Sequence, residues 1–146
     1  MTYYWMNGVL QKLGAPLTVE NHDFLYAWWA FEGGNNGPNR NIFPSAKFNW
    51  LNSMLKTSTS SPYNSVGIQN YPTWDEGVKA TVATLKQSGP YPSKPDYRDI
   101  VAALKSGVPL DHWPVKGLAT WLTGKQGTAA GFDYQQRIKN LTASLA

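Results

Sequence analysis

The stretch FLYAWWAFEGG, residues 24–34, decides how the chain is read. An unbroken apolar run from Phe24 to Phe31 ends on one acid, Glu32, and two glycines follow it. Phe24, Trp28 and Phe31 fall on one helical face; Leu25, Trp28 and Glu32 fall on an adjoining stripe. The spacing therefore predicts a helix with Glu32 on the rim of its buried face, stopped by Gly33 and Gly34. A carboxylate beside so much apolar surface is costly unless it is solvated, paired or used. Burial beside Trp28 and Phe31 would raise its pKa and let it hold a proton near neutral pH.

Upstream, Thr18 has the chemistry of an N-cap, and Glu20 sits in the favourable first turn, so the second helix is expected over Val19–Glu32. A first helix is expected over Tyr3–Leu13, ended by Gly14 and Pro16. Downstream, Gly33 to Tyr71 is rich in Gly, Asn, Ser, Thr and Pro and has poor periodicity. Asn35, Asn36 and Asn39 are turn formers. A short helical turn is expected near Trp50–Leu55 and an extended piece at SVGIQNY, Ser65 to Tyr71. A connection of this length suits the wall of a cleft. Trp50 lies in it and is the candidate for stacking on a sugar, whereas Trp28, Trp29 and Trp74 read as core.

Thr73 opens the next helix, with TWDE as a capping box and Val78, Val82 and Leu85 facing the core. Asp96 is expected to cap YRDIVAALKSG, which ends at Gly107. Further helices are expected at Pro114–Trp121, with Pro114 in the first turn, and at Asp133–Leu145. The fold class is mainly α: a helical domain with a long irregular or partly β loop after the second helix, one domain over residues 1–146.

Composition narrows the function. The 146 residues are 42% hydrophobic and 14% aromatic, with a formal net charge of +4. The basic residues are scattered, unlike the clustered stripe of a nucleic-acid binder, so no nucleic-acid partner is expected. A mild positive field suits a diffuse anionic partner such as a bacterial cell wall. There is no cysteine, which excludes disulfides and thiolate metal sites. His22 and His112 lack ligand spacing, so neither metal nor cofactor is expected; His112 reads as a surface or capping residue. No apolar run approaches the ~20 residues of a membrane helix, and the start lacks the pattern of a secretory signal.

After Glu32 the next acid is Asp75. Ordinary glycosidases use two carboxylates, and the long loop offers no second one. Asp75 and Asp99 remain as residues that could approach in space. A lone acid that ends an apolar helix, then Gly67-Ile68-Gln69 within SVGIQNY, then a late Tyr134 in DYQQRI resembles the lysozyme-like superfamily. The likeness is to its goose-type lysozyme and soluble lytic transglycosylase branch. The segments WWAFEGG, NSVGIQNY, GVKATVATL and DIVAALKSG are also similar to lysozyme-like domains of actinobacterial phages. Two departures stand out: Gly33 follows the acid where the branch has Ser, and Leu104 and Lys105 stand where an Ala-Tyr-Asn motif would fall.

The resemblance implies a peptidoglycan-cleaving enzyme acting between N-acetylmuramic acid and N-acetylglucosamine, with Glu32 as general acid/base. It implies substrate contacts from Ser65, Gln69, Asn70, Tyr71 and Tyr134, with Trp50 stacking in the cleft. It implies glycan strands, and other virion proteins, as partners. An endolysin held in the host cytoplasm until release and a lysin carried in a virion both fit. The missing loop acid favours substrate-assisted, transglycosylase-type chemistry over hydrolysis. The rival expectations are a non-catalytic glycan-binding or virion structural protein on the same fold, and a helical module that binds a protein partner.

Overall fold

The computed structural model describes residues 2–32, 46–90 and 93–144. Among them the chain is mainly helical. Six α-helices run in the order α1 (Thr2–Leu13), α2 (Val19–Phe31), α3 (Trp74–Leu85), α4 (Arg98–Ser106), α5 (Val115–Thr123) and α6 (Thr128–Ser144). A two-stranded antiparallel hairpin, β1 (Ser61–Pro62) and β2 (Gln69–Asn70), lies between α2 and α3, and a 3-10 turn at Pro109–Asp111 joins α4 to α5.

The central element is α2. Phe24, Leu25, Ala27, Trp28, Trp29 and Ala30 are all buried, so this helix is enclosed nearly all round rather than amphipathic. Its start is the one expected: the Thr18 hydroxyl accepts the Asn21 N–H at 3.1 Å. On α1, Trp5, Met6, Val9, Leu10 and Leu13 form the buried stripe that helical spacing predicts. α3 and α6 complete the packing around these two, α3 on α1 and α6 on α2.

Close approaches depend on two glycines. A Cβ on Gly77 would collide with the Phe48 carbonyl, so its absence lets α3 lie against the loop before the hairpin. A Cβ on Gly131 would collide with the Val115 carbonyl, so α6 seats directly on the start of α5. The sequence reading started α6 at Asp133, but the helix begins at Thr128. Gly131 is a contact residue inside a helix, not part of a loop.

Three other expectations need correction. No helical turn forms over Trp50–Leu55; Phe48 and Asn52 both take positive φ, 54° and 58°, which breaks helical geometry. Only Gln69 and Asn70 of SVGIQNY are in a strand; residues 63–68 make the hairpin loop. Asp96 stands one residue outside the α4 N-cap, where its carboxylate accepts the Arg98 N–H at 3.1 Å. The Thr73 cap holds, accepting the Glu76 N–H at 3.2 Å.

Candidate functional site

Glu32 is the C-cap of α2, and its own N–H bonds to the carbonyls of Trp28 and Trp29. That backbone anchor fixes the direction of a half-buried side chain. Two residues from distant parts of the chain hold the carboxylate. The Tyr134 hydroxyl, on α6, donates to Oε1 at 2.7 Å. Asn52 Nδ2 donates to the Glu32 carbonyl at 2.6 Å and reaches Oε2 at 3.3 Å. Asn tolerates the left-handed backbone that Asn52 adopts better than a bulkier residue would, and this backbone turns its amide towards Glu32.

Burial pushes the Glu32 carboxyl above its ordinary pKa. Tyr134 and then Asn52, with the indole N–H groups of Trp28 and Trp121, oppose the shift, and burial prevails. The Trp28 Nε1 is buried and makes no well-formed hydrogen bond among the described residues, so its pull on Glu32 is a loose one. The Trp121 Nε1 is committed mainly to the Leu51 carbonyl, at 3.1 Å. Tyr134 is itself raised by burial and by the Glu32 charge, so it stays a hydroxyl donor. Tyr97 is pushed up to about 12, by burial first and by Glu32 second.

A cleft of about 320 Å³ opens beyond Asn52; Glu32 itself is not among its lining residues and reaches it through the Asn52 amide. Asn52, Tyr97 and Trp121 line it; Asn52 and Trp121 act on Glu32, and the Glu32 charge acts on Tyr97. Trp121 packs edge-on against Trp28 and tilted against Tyr97, with ring centroids 4.9 and 5.0 Å apart. The size falls at the lower end of small-ligand pockets.

No other carboxylate is among the groups that act on Glu32. Asp75 is exposed and pairs with Lys79 at 2.8 Å and Lys12 at 3.8 Å. Asp99 caps α5: both its oxygens accept the Gly117 N–H at 3.1 Å. Among the described residues no cluster of His, Asp or Glu could hold a metal ion, and no helix is long and apolar enough to cross a membrane.

The residues expected to bind substrate divide sharply. Tyr134 meets Glu32 through its hydroxyl. Trp50 does not stack on anything outside the protein. It is 1% exposed, packed between Trp5 at 5.3 Å and Trp74 at 4.9 Å, and is core. Gln69 is buried; it accepts from the Ser60 hydroxyl and donates to the Gly67 carbonyl, both at 2.9 Å, which fastens the hairpin. Tyr71 is also buried and donates to the Leu55 carbonyl at 2.8 Å. Asn70 accepts the Lys47 N–H at 2.9 Å, and Ser65 is exposed in the hairpin loop. These four hold or decorate the loop, and none of them bonds to Glu32. Gly33, Asn35, Asn36 and Asn39 lie outside the described residues.

Asn52, Tyr97 and Trp121 were missed in the sequence. Asn in a polar loop is an ordinary turn former, and nothing in local spacing ties it to Glu32, 20 residues away. Comparison of the chain with protein-family models, curated proteins and solved structures finds no match in any of the three.

Proposed function

We propose that this is a lysozyme-like domain that cleaves peptidoglycan glycan strands with Glu32 as general acid/base. The observation that carries the reading is the Glu32 carboxyl, raised in pKa by burial and held by Tyr134 and by Asn52, which itself lines the cleft. The Tyr134 hydroxyl occupies Oε1, so the mobile proton belongs on Oε2, where the Asn52 contact is long. From there it is donated to the glycosidic oxygen as the bond to the anomeric carbon breaks.

A single-acid site has two ways to finish. In a transglycosylase the Glu32 carboxylate takes the proton of the muramic C6 hydroxyl as that oxygen closes on the anomeric carbon, giving an anhydro sugar. In a hydrolase it activates water. The commitment of Asp75 to lysines and of Asp99 to α5 supports the first route, because inverting and retaining hydrolases ordinarily need a second free carboxylate. The setting that fits is a phage endolysin or a lysin carried in a virion.

The test is mass spectrometry of soluble fragments released from purified peptidoglycan by wild type and by Glu32→Gln. Anhydromuramic ends that disappear in the variant are expected. Reducing muramic ends would instead mean hydrolysis. No fragments from folded wild type on several wall types would overturn the enzymatic reading and favour a glycan-binding or virion structural role.

A further inference from the structure

A separate recess lies at the other end of α2 from Glu32. It encloses about 280 Å³ between the start of α2, the 3-10 turn and the last part of α6. Val108, Pro109 and Leu110 give it an apolar wall. Its charge comes from Glu20, Asp23, Asp111 and Lys139. None of these four is in an ion pair among the described residues, whose ion pairs join Lys12 and Lys79 to Asp75 and Arg98 to Asp96. Three carboxylates stand against one ammonium, on a chain whose net charge is +4, so the recess reverses the sign of the molecule. The walls are fixed before anything binds. The Thr18 hydroxyl donates to the Gly107 carbonyl at 2.7 Å and the Asn21 amide to the Leu104 carbonyl at 2.8 Å, which ties the start of α2 to the end of α4. Glu20 precedes Glu32 on the same helix, roughly 18 Å away along its axis.

Trp113 and Phe132 come next along this surface. Trp113 follows Asp111 by two residues, and Phe132 lies two turns before Lys139 on the same stripe of α6, roughly 10 Å along the axis. The two rings stack, 5.5 Å apart and within 10° of parallel, yet they are 50% and 47% exposed. Trp113 takes a φ of 49°, an uncommon backbone for a bulky residue. An acidic recess with an aliphatic wall, beside an open aromatic pair, complements a ligand that is cationic at one point and apolar at the next. Polyanionic wall material is repelled at such a recess, which separates this face from the Glu32 site. We propose that this face docks an extended basic segment of a partner polypeptide. One Lys or Arg side chain enters the recess, with its methylene stem along Val108, Pro109 and Leu110 and its head among the carboxylates. A large apolar side chain three positions along the segment, about 10 Å in extended chain, covers Trp113 and Phe132. The docking does not depend on the proposed glycan cleavage.

The probes are fluorescent peptides blocked at both ends, each with one Lys and one Trp set at different spacings by Ser and Gly. Titrated onto the whole chain and read by anisotropy, the peptide with Lys and Trp three positions apart should bind tightest. Asp23→Asn with Asp111→Asn should weaken it about ten-fold, the scale of two partly exposed ion pairs. Asp111→Asn alone, at an exposed position that folding tolerates, should weaken it about three-fold. Phe132→Ser should weaken it about five-fold. Each loss should belong to its own end of the peptide. A probe with norleucine for Lys should ignore the acid variants, and a probe with Ser for Trp should ignore Phe132→Ser. Binding of the Lys probes should also fall as salt rises. No binding of any probe to folded wild type would overturn the proposal, as would an affinity unchanged in the acid variants. Tighter binding of soluble peptidoglycan fragments at this face, lost in the same variants, would also overturn it, because the occupant would then be wall material.

Discussion

The hydroxyl of Tyr134 donates a 2.7 Å hydrogen bond to Oε1 of Glu32 across 102 residues of chain. It links the last helix to the end of the central one. Phe31, next to Glu32, packs edge-on against the same tyrosine ring at 6.0 Å. The α2–α6 contact therefore sets the carboxylate's orientation with both an apolar and a polar grip.

Tyr134→Phe keeps the ring and removes the donor. The bond favours the charged carboxylate, so its loss raises the Glu32 pKa further. A general acid works while protonated, so the alkaline limb of kcat/KM should move to higher pH. Stability should fall by ~1 kcal/mol, the net worth of one hydrogen bond. A pH–rate profile with an unmoved alkaline limb would show that Tyr134 does not govern Glu32.

Asn52→Gly separates backbone from side chain. Glycine accepts the φ of 58° without strain, so the loop should fold, with stability lowered by about 1–2 kcal/mol for the lost hydrogen bonds. The donor to the Glu32 carbonyl and Oε2 is lost, which frees the carboxyl to rotate. The expected outcome is a kcat drop of about ten-fold or more with KM nearly unchanged, since a small misplacement of a reacting group is costly. Unchanged kcat would make Asn52 a turn residue and nothing more.

Features carried by local chemistry were legible in the sequence. The apolar run to Glu32, the Thr18 and Thr73 caps and the stop at Gly107 each follow from a few adjacent residues. Tyr134 was reached through motif order. Long-range packing was not legible. Trp50 stands among polar loop residues, and its burial depends on Trp5 and Trp74 arriving from other helices. Gln69 and Tyr71 look like exposed loop polar groups, yet the loop folds inward and consumes them. Asn52, Tyr97 and Trp121 converge on Glu32 only in three dimensions.

Gly131→Ala tests the seating of α6. The added methyl meets the Val115 backbone, which cannot yield as a flexible side chain would. The loss should be ~3 kcal/mol or more, as for strong overpacking. Gly127→Ala, with open space around its Cβ, should cost under about 1 kcal/mol. Denaturant melts of the two variants compare them directly, and similar midpoints would refute the close helix contact. Because Tyr134 rides on α6, Gly131→Ala should also weaken any activity that remains.

Glu32→Gln should make the protein more stable at neutral pH while removing activity. The folded-state pKa of Glu32 is raised above its ordinary value of 4.5, chiefly by burial. The folded protein therefore binds this proton more tightly than the unfolded chain does. The contribution is fully present below the unfolded pKa and is lost as pH rises through the folded one. Wild type should lose stability as pH rises above the ordinary carboxyl value, and the neutral amide should not share that loss. Asp99 is raised in the same direction by burial, against hydrogen bonds from the Gly117, Ile100 and Lys116 backbone, so part of the slope should survive in the variant. Asp75 and Asp96 are lowered by their cationic neighbours, but they are exposed or paired at the surface and should add little. Urea melts of both proteins from pH 4 to 8 measure the difference. A gap that widens with rising pH is the expected signature of a strained, buried acid. Parallel curves would mean that Glu32 is solvated and ordinary, and the general-acid reading would lose its physical basis.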